Sequence, residues 1–378
     1  MTRTFIVAAF ISFVVAQQPN PNQPPPTGGT QKPPQPPKKK TMEEALKDKK
    51  EIPGFLTLYQ DTTNGKLFML VKKDQLNKEY IHFVHGLNGQ INAGVFKGSY
   101  GGARVIKLNR YFNRVEFEVQ NNSMYFDPEN PLHRSAGANV SSAILAASYI
   151  VAEKDGEVLI GVDNVFLSEA LYQITRGFIP GGQNKNPFKI GRLAKERTKY
   201  LSLNNYPENT DLIVQYVYSN PTPTNWGSDV GLTDPRSVNV TLQHSFIHMP
   251  ENNYVPRFED PRVGYFATQI TDMTSADDPT PYRDMIHRWN LEKKNPGQAR
   301  SEVIEPITWW IENTTPHEFR GAIEEGVLAW NKAFEKAGLI NAVEVKTQPD
   351  DAEWDAGDIR YNVLRWTSSP TPPFGGYG

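Results

Sequence analysis

Seven histidines and no cysteine decide which metal or nucleophilic chemistry this 378-residue chain can host. The absence of thiols removes disulfides, a cysteine nucleophile, thiolate metal sites, iron–sulfur clusters and a lipidated cysteine. Metal binding then falls to histidine and carboxylate. His244 and His248, in His-Ser-Phe-Ile-His, have the spacing that brings two ligands together on a helix. However, residues 237–243 alternate like a strand, in which four residues span about 13 Å, whereas each zinc ligand must lie within about 2.1 Å of the ion. The pair is not expected to share a metal. His82 and His85, three apart in another strand pattern, would face opposite sides and read as core or surface histidines. His317-Glu318 begins the pattern His-Glu-x-x-His, but the fifth residue is Gly321, so no second ligand follows one turn later. Glu318 is instead expected to close a capping box with Thr315, with Pro316 at the first helical position. The glycine runs at 98–102 and 181–182 lack the Lys-Ser/Thr and helix opening of a phosphate loop and read as turns. No residue emerges as catalytic, metal-ligating or cofactor-binding.

The elements that would hold these residues are mostly strands. Phe55–Tyr59 and Lys66–Val71 flank Asn64-Gly65, a hairpin turn pair. Further strands are expected at 80–84, 103–108, 114–119, 144–152, 158–162, 212–218 and 237–247, with a short helical pattern at 168–176. After residue 297 the pattern becomes strand, helix, strand. An extended run at 306–313 precedes a helix of about 22 residues, whose apolar face is Phe319, Ile323, Val327, Trp330 and Phe334 and whose end is marked by Gly338. Two more strands are expected at 342–346 and 358–366, forming an α/β unit with a core of its own.

Composition sets the remaining bounds. A net charge of -2 and a pI near 6.4 provide no basic field for nucleic acid. One positive charge at Arg3, an apolar run from Phe5 to Ala16 and small residues at its end read as a secretory signal, residues 1–16. That run is too short to span a membrane, and no transmembrane segment is expected elsewhere. Residues 17–40, rich in proline, read as a disordered linker. The address implied is secreted or periplasmic. Asn139, Asn239 and Asn313 each begin a glycosylation triplet.

Five blocks carry a resemblance: Asp260–Phe266, Arg288–Pro296, Gly326–Gly338, Asp358–Tyr361 and Pro373–Gly378. In this order they resemble a family of large exported bacterial zinc-dependent metalloproteases, in which N-terminal domains of unknown function precede a catalytic domain similar to metzincins. The resemblance covers residues 42–378. It implies an α+β fold: a small β-hairpin domain at 41–90, a β-rich domain at 91–297, and at 298–378 the first part of a metzincin-like domain (strand, long helix, strands). It also implies zinc in the full-length protein and a protein or peptide substrate.

The chain departs from that family at the decisive place. The elongated motif His-Glu-x-x-His-x-x-Gly-x-x-His, whose histidines hold zinc and whose glutamate activates water, is missing from residues 1–378. The chain is therefore expected to be an inactive N-terminal fragment of a secreted zinc endopeptidase. Its β-rich region would shield or position the cleft, as a propeptide or docking domain does. The alternative is an exported, non-enzymatic β-rich binding or adhesion protein, or a pseudo-protease.

Overall fold

The computed structural model describes residues 40–174, 188–226, 230–274 and 283–369. The expected signal (1–16), nearly all of the linker (17–39), Gly181-Gly182 and the block 373–378 lie outside them.

Period-two alternation builds one antiparallel sheet of twelve strands: β1 (Lys49–Ile52), β2 (Thr57–Asp61), β3 (Leu67–Val71), β4 (Glu79–Asn88), β5 (Tyr100–Tyr111), β6 (Arg114–Val119), β7 (Ala143–Lys154), β8 (Glu157–Gly161), β9 (Arg192–Leu193), β10 (Lys199–Asn205), β11 (Asn209–Ser219) and β12 (Ser237–His248). Their spatial order is β1-β2-β3-β8-β7-β6-β5-β4-β12-β11-β9, with β10 also paired to β11. One face carries Leu58, Met69, Ile160, Phe117, Ile106, Val84, Leu242 and Val214, all in a single core. Strands from opposite ends of the sheet share that core, so the sheet curls around it. Burying each such side chain stabilises the fold by about 1.5–3 kcal/mol.

Hydrogen bonds between the sheet's ends hold the curl. Phe55 N–H donates to the Tyr206 carbonyl at 2.8 Å and Leu56 N–H to Thr210 Oγ1 at 2.9 Å, while Asn205 Nδ2 donates to the carbonyls of Ile52 and Leu56. β4 lies between β5 and β12, so the residues assigned to a hairpin domain at 41–90 share one sheet and one core with residues beyond 90. A lone hairpin could not cover its own apolar face.

Turn chemistry explains several connections. Between β2 and β3, Asp61 Oδ1 accepts from Thr63 N–H, Thr63 Oγ1 and Asn64 N–H, and Gly65 takes φ +74°, so the hairpin forms with a loop longer than two residues. Asp155-Gly156, both at positive φ, forms the two-residue turn between β7 and β8. The run 98–102 is a turn only at its start: Gly98 has φ +91°, and Tyr100–Gly102 already belong to β5. The expected helix at 168–176 is corrected: residues 168–174 are not helical, and the short helix α2 (Asp163–Phe166) precedes them. There, Ser168 Oγ turns back to the carbonyls of Asn164 and Val165 and ends the turn. Near the start, α1 (Met42–Leu46) carries a capping box between Thr41 and Glu44.

The C-terminal unit joins β13 (Ile307–Ile311), α3 (His317–Leu328), α4 (Asn331–Lys336), β14 (Val343–Thr347) and β15 (Asn362–Leu364). The sheet order is β14-β13-β15, all parallel. Its core gathers Val303, Ile307, Ala342 and Val343 under Val327 and Phe334. Three expectations are corrected here. The long helix is broken, because Asn331 turns its amide to the backbone of Val343, donating to its carbonyl and accepting from its N–H, both at 2.9 Å. Around the break, Trp330 and Lys332 N–H bond three residues back, to Val327 and Ala329. The capping box is also absent: Pro316 is the N-cap and receives no side-chain bond. Thr315 is buried, and Arg320 fixes the preceding turn through the carbonyls of Thr315 and Asn313. Gly338, at φ +87°, ends α4 in the left-handed conformation, as its position predicts. The strand expected at 358–366 shrinks to β15, because Asp358–Tyr361 form a turn closed by Asp358. Among the described residues no helix is long and apolar enough to cross a membrane.

Candidate functional site

Two clusters of buried polar side chains occupy opposite faces of the strands β4, β12 and β11. The inner one is built on alternation. His82 follows Tyr80 and precedes Val84 on the core side of β4, and His244 lies between Leu242 and Phe246 on β12. His82 Nε2 is 3.1 Å from His244 Nδ1, and His244 Nε2 is 2.8 Å from the Tyr216 hydroxyl. Tyr216 Oη in turn donates to the Phe166 carbonyl at 2.7 Å. A hydroxyl has one proton to give. Tyr216 therefore accepts from His244 Nε2–H, His244 Nδ1 accepts from His82 Nε2–H, and His82 Nδ1 ends the chain as a buried acceptor with no partner among the described residues. Burial holds both imidazoles neutral: the pKa of His82 lies well below the ordinary value and that of His244 is lowered to about 3, with the Arg104 charge adding to the effect.

The outer cluster lies where the C-terminal unit meets the sheet. Asp211 and Asn209 on β11 and Gln243 and Ser245 on β12 alternate with core residues, so their side chains leave the opposite face. They are nevertheless buried, because residues 355–359 cover them. Asp211 Oδ1 accepts from Asn209 Nδ2 at 2.8 Å and Oδ2 from Gln243 Nε2 at 2.6 Å. Asn209 also bridges to the covering segment, donating to the Gly357 carbonyl at 2.9 Å and accepting from Ile359 N–H at 3.1 Å. Asn204 Nδ2 donates to Asp355 Oδ2 at 3.0 Å, and Asp358, fully buried, pairs with Arg360 at 2.7 Å. Burial is the main cause that raises the Asp211 pKa to about 7, and the charges of Asp355 and Asp358 push the same way. Farther along this face, His85 is pulled down to about 4 by burial and by Arg365, and Lys97 Nζ reaches the Trp366 carbonyl at 3.5 Å.

The structure thus pairs His82 with His244 and leaves the other histidines read from sequence apart from that pair. His82 and His85 do point to opposite faces, His244 has both nitrogens engaged, and the His248 ring packs edge-on against Phe55 at 5.5 Å. His317 and Glu318 open α3 without touching either cluster. Among the described residues no group of three histidine or acidic side chains could hold a metal ion, so the residues present do not fit a zinc centre. Tyr216, Asp211, Gln243, Asp355 and Gly357 were not singled out by sequence. Period two places Asp211 and Gln243 opposite the core, where polar residues ordinarily face water, and only the fold shows what covers them.

These features define a curled antiparallel sheet protein with an α/β unit clamped to its outer face. The chain belongs to the family described as a domain of unknown function (DUF5117), whose model matches residues 98–294. No curated protein and no solved structure matches the chain.

Proposed function

We propose that this chain is the non-catalytic N-terminal portion of a secreted zinc endopeptidase, and that its curled sheet is the platform on which the catalytic domain is assembled. The observation that carries this reading is the C-terminal unit. A strand, a helical crossover and two further strands parallel to the first occur in the order in which a metzincin-like domain opens. The five family-like sequence blocks support it independently. The clamp of Asp355, Gly357 and Ile359 on Asn204, Asn209 and Asp211 gives the platform its physical meaning, because it fixes the unit to the sheet through buried hydrogen bonds.

Zinc would be held by the elongated histidine motif of the longer protein, outside residues 1–378, and no step of the reaction is assigned to residues of this chain. Protein or peptide substrates and export follow from the same reading. The test is to read the coding sequence past codon 378 and to assay purified protein for zinc and for casein hydrolysis. The expected result is an open frame that reaches His-Glu-x-x-His, with hydrolysis by the longer product alone. Stoichiometric zinc and proteolysis by residues 17–378 would overturn the placement of the site. A stop codon directly after Gly378 would replace this reading with a non-enzymatic binding protein.

A further inference from the structure

We propose that Arg104 and the amide and hydroxyl side chains around it form a binding site for the C-terminal carboxylate of a peptide. The register of β5 on β4 sets Arg104 directly opposite His82, so its side chain leaves the sheet on the face that carries the core. It is partly buried there, and among the described residues it has neither an ion pair nor a hydrogen bond. A half-buried guanidinium whose donors are uncommitted offers a carboxylate charge-assisted hydrogen bonds.

Arg104 lines a shallow, open depression of about 350 Å³ together with Val119, Gln120, Asn121, Asn122 and Ser141. Among the described residues no acidic side chain lines it, and Arg104 gives this lining a positive charge. The volume is at the small end of ligand sites, which run from about 300 to 1,000 Å³, and suits a chain terminus better than a folded partner. The flat guanidinium fork matches a carboxylate in two parallel hydrogen bonds. Gln120 Nε2 donates to the Glu118 carbonyl and Asn121 Oδ1 accepts from Ser123, which leaves Gln120 Oε1, Asn121 Nδ2 and the Asn122 amide to accept from and donate to the N–H and C=O of a terminal peptide group. Across the strand from Arg104, His82 Nδ1 is buried without a hydrogen-bond partner among the described residues, and the Arg104 charge reaches both His82 and His244. Neutralising that charge with a bound carboxylate would therefore be felt in the histidine pair.

The experiment titrates the full chain, labelled with ¹⁵N at histidine, with trialanine, trialanine amide and acetate, following the His82 resonance and the heat of binding. Trialanine is expected to bind and to move the His82 signal, and its amide to bind at least tenfold more weakly. Arg104→Gln should abolish the trialanine response at an unchanged urea midpoint, and Arg104→Lys should retain part of it. Acetate binding as tightly as trialanine would overturn the peptide as the source while leaving the carboxylate site. Equal binding of the amide, an unaltered response in folded Arg104→Gln, or no response to any probe at 20 mM (about 2.3 kcal/mol of affinity at the limit) would overturn the site itself.

Discussion

His82 and His244 share one proton across 3.1 Å at the centre of the sheet's core face, and the direction of that bond is dictated by a third residue. Because Tyr216 spends its only proton on the Phe166 carbonyl, every other donor in the row is fixed in sequence. Removing the hydroxyl in Tyr216→Phe leaves a buried carbonyl without its donor and a buried His244 N–H without its acceptor. A loss of about 1–3 kcal/mol in unfolding free energy is expected, the usual cost of stranding buried polar groups. Urea denaturation at pH 7 measures it, and a change below about 0.5 kcal/mol, the scatter of innocuous surface substitutions, would show that the row is not held as described.

Three buried histidines, two in this row and His85 on the opposite face, set the acid response. In the unfolded chain a histidine titrates near 6.5, whereas His82 lies well below that value, His244 near 3 and His85 near 4 in the fold. Lowered folded values contribute stability that is complete above the unfolded pKa and is lost as pH falls toward the folded ones. At pH 5, unfolding should therefore take up about three protons at these histidines and release about one from Asp211, whose shift is opposite, for a net uptake of about two. The slope of unfolding free energy against pH between 6 and 4.5 gives this number directly. Histidine ¹⁵N shifts should show His82 and His244 neutral and Nε2-protonated throughout. An imidazolium signature at either residue above pH 5 would contradict the row.

Much of this architecture is legible in the chain because strand alternation is a local signal. The stretch 114–119 coincides with β6, and the strand expected at 237–247 matches β12 to within one residue and contains His244. Local patterns failed where a distant partner overruled them. Thr315, Pro316 and Glu318 spell a capping box, yet Thr315 is buried and Arg320 satisfies the turn instead. The heptad-like run from Phe319 to Phe334 spells one helix, yet Asn331 finds Val343 and breaks it, and Phe319 leaves the core to stack on Trp366 at 4.9 Å. The clamp was illegible for a related reason. Asp211 and Gly357 are 146 positions apart, and a buried carboxylate on a strand's outer face looks like any solvated one until the segment that covers it is placed.

Asp211 is the residue at which charge and docking compete. Its raised pKa means that the fold favours the protonated carboxyl, so its contribution is complete below about 4 and is lost as pH rises through about 7. Asp211→Asn mimics the protonated form and keeps one acceptor for Asn209, with Gln243 able to turn its amide. The variant is expected to exceed the parent chain already at pH 5.5, where the unfolded carboxyl is ionised and the folded one is not, and its margin is expected to grow by about 1–2 kcal/mol by pH 8.5, a discounted fraction of the shift. Paired denaturation curves at the two pH values decide the matter. Equal stability at pH 8.5 would mean that Asn209 and Gln243 already satisfy the ionised carboxylate.

Gly357 tests the clamp by shape alone, without altering charge. A Cβ built on it would lie 2.5 Å from Asp211 Oδ2 and 2.9 Å from Asp355 Oδ1, closer than real Cβ contacts come. The Gly357 carbonyl and Ile359 N–H are at the same time tied to Asn209, so the segment cannot shift outward without breaking both bonds. In Gly357→Ala the covering segment should therefore lift while the curled sheet, whose core is elsewhere, stays folded. Amide exchange at Ile359, whose N–H the clamp protects, should accelerate at least tenfold, with exchange in β4 and β6 unchanged. Gly264→Ala, where nothing lies within 4 Å of the added carbon, should leave both regions as they are. Uniform acceleration through β4, β6 and Ile359 in the Gly357 variant would show that the α/β unit and the sheet unfold together, and the clamp would then be an inseparable part of the core rather than a joint.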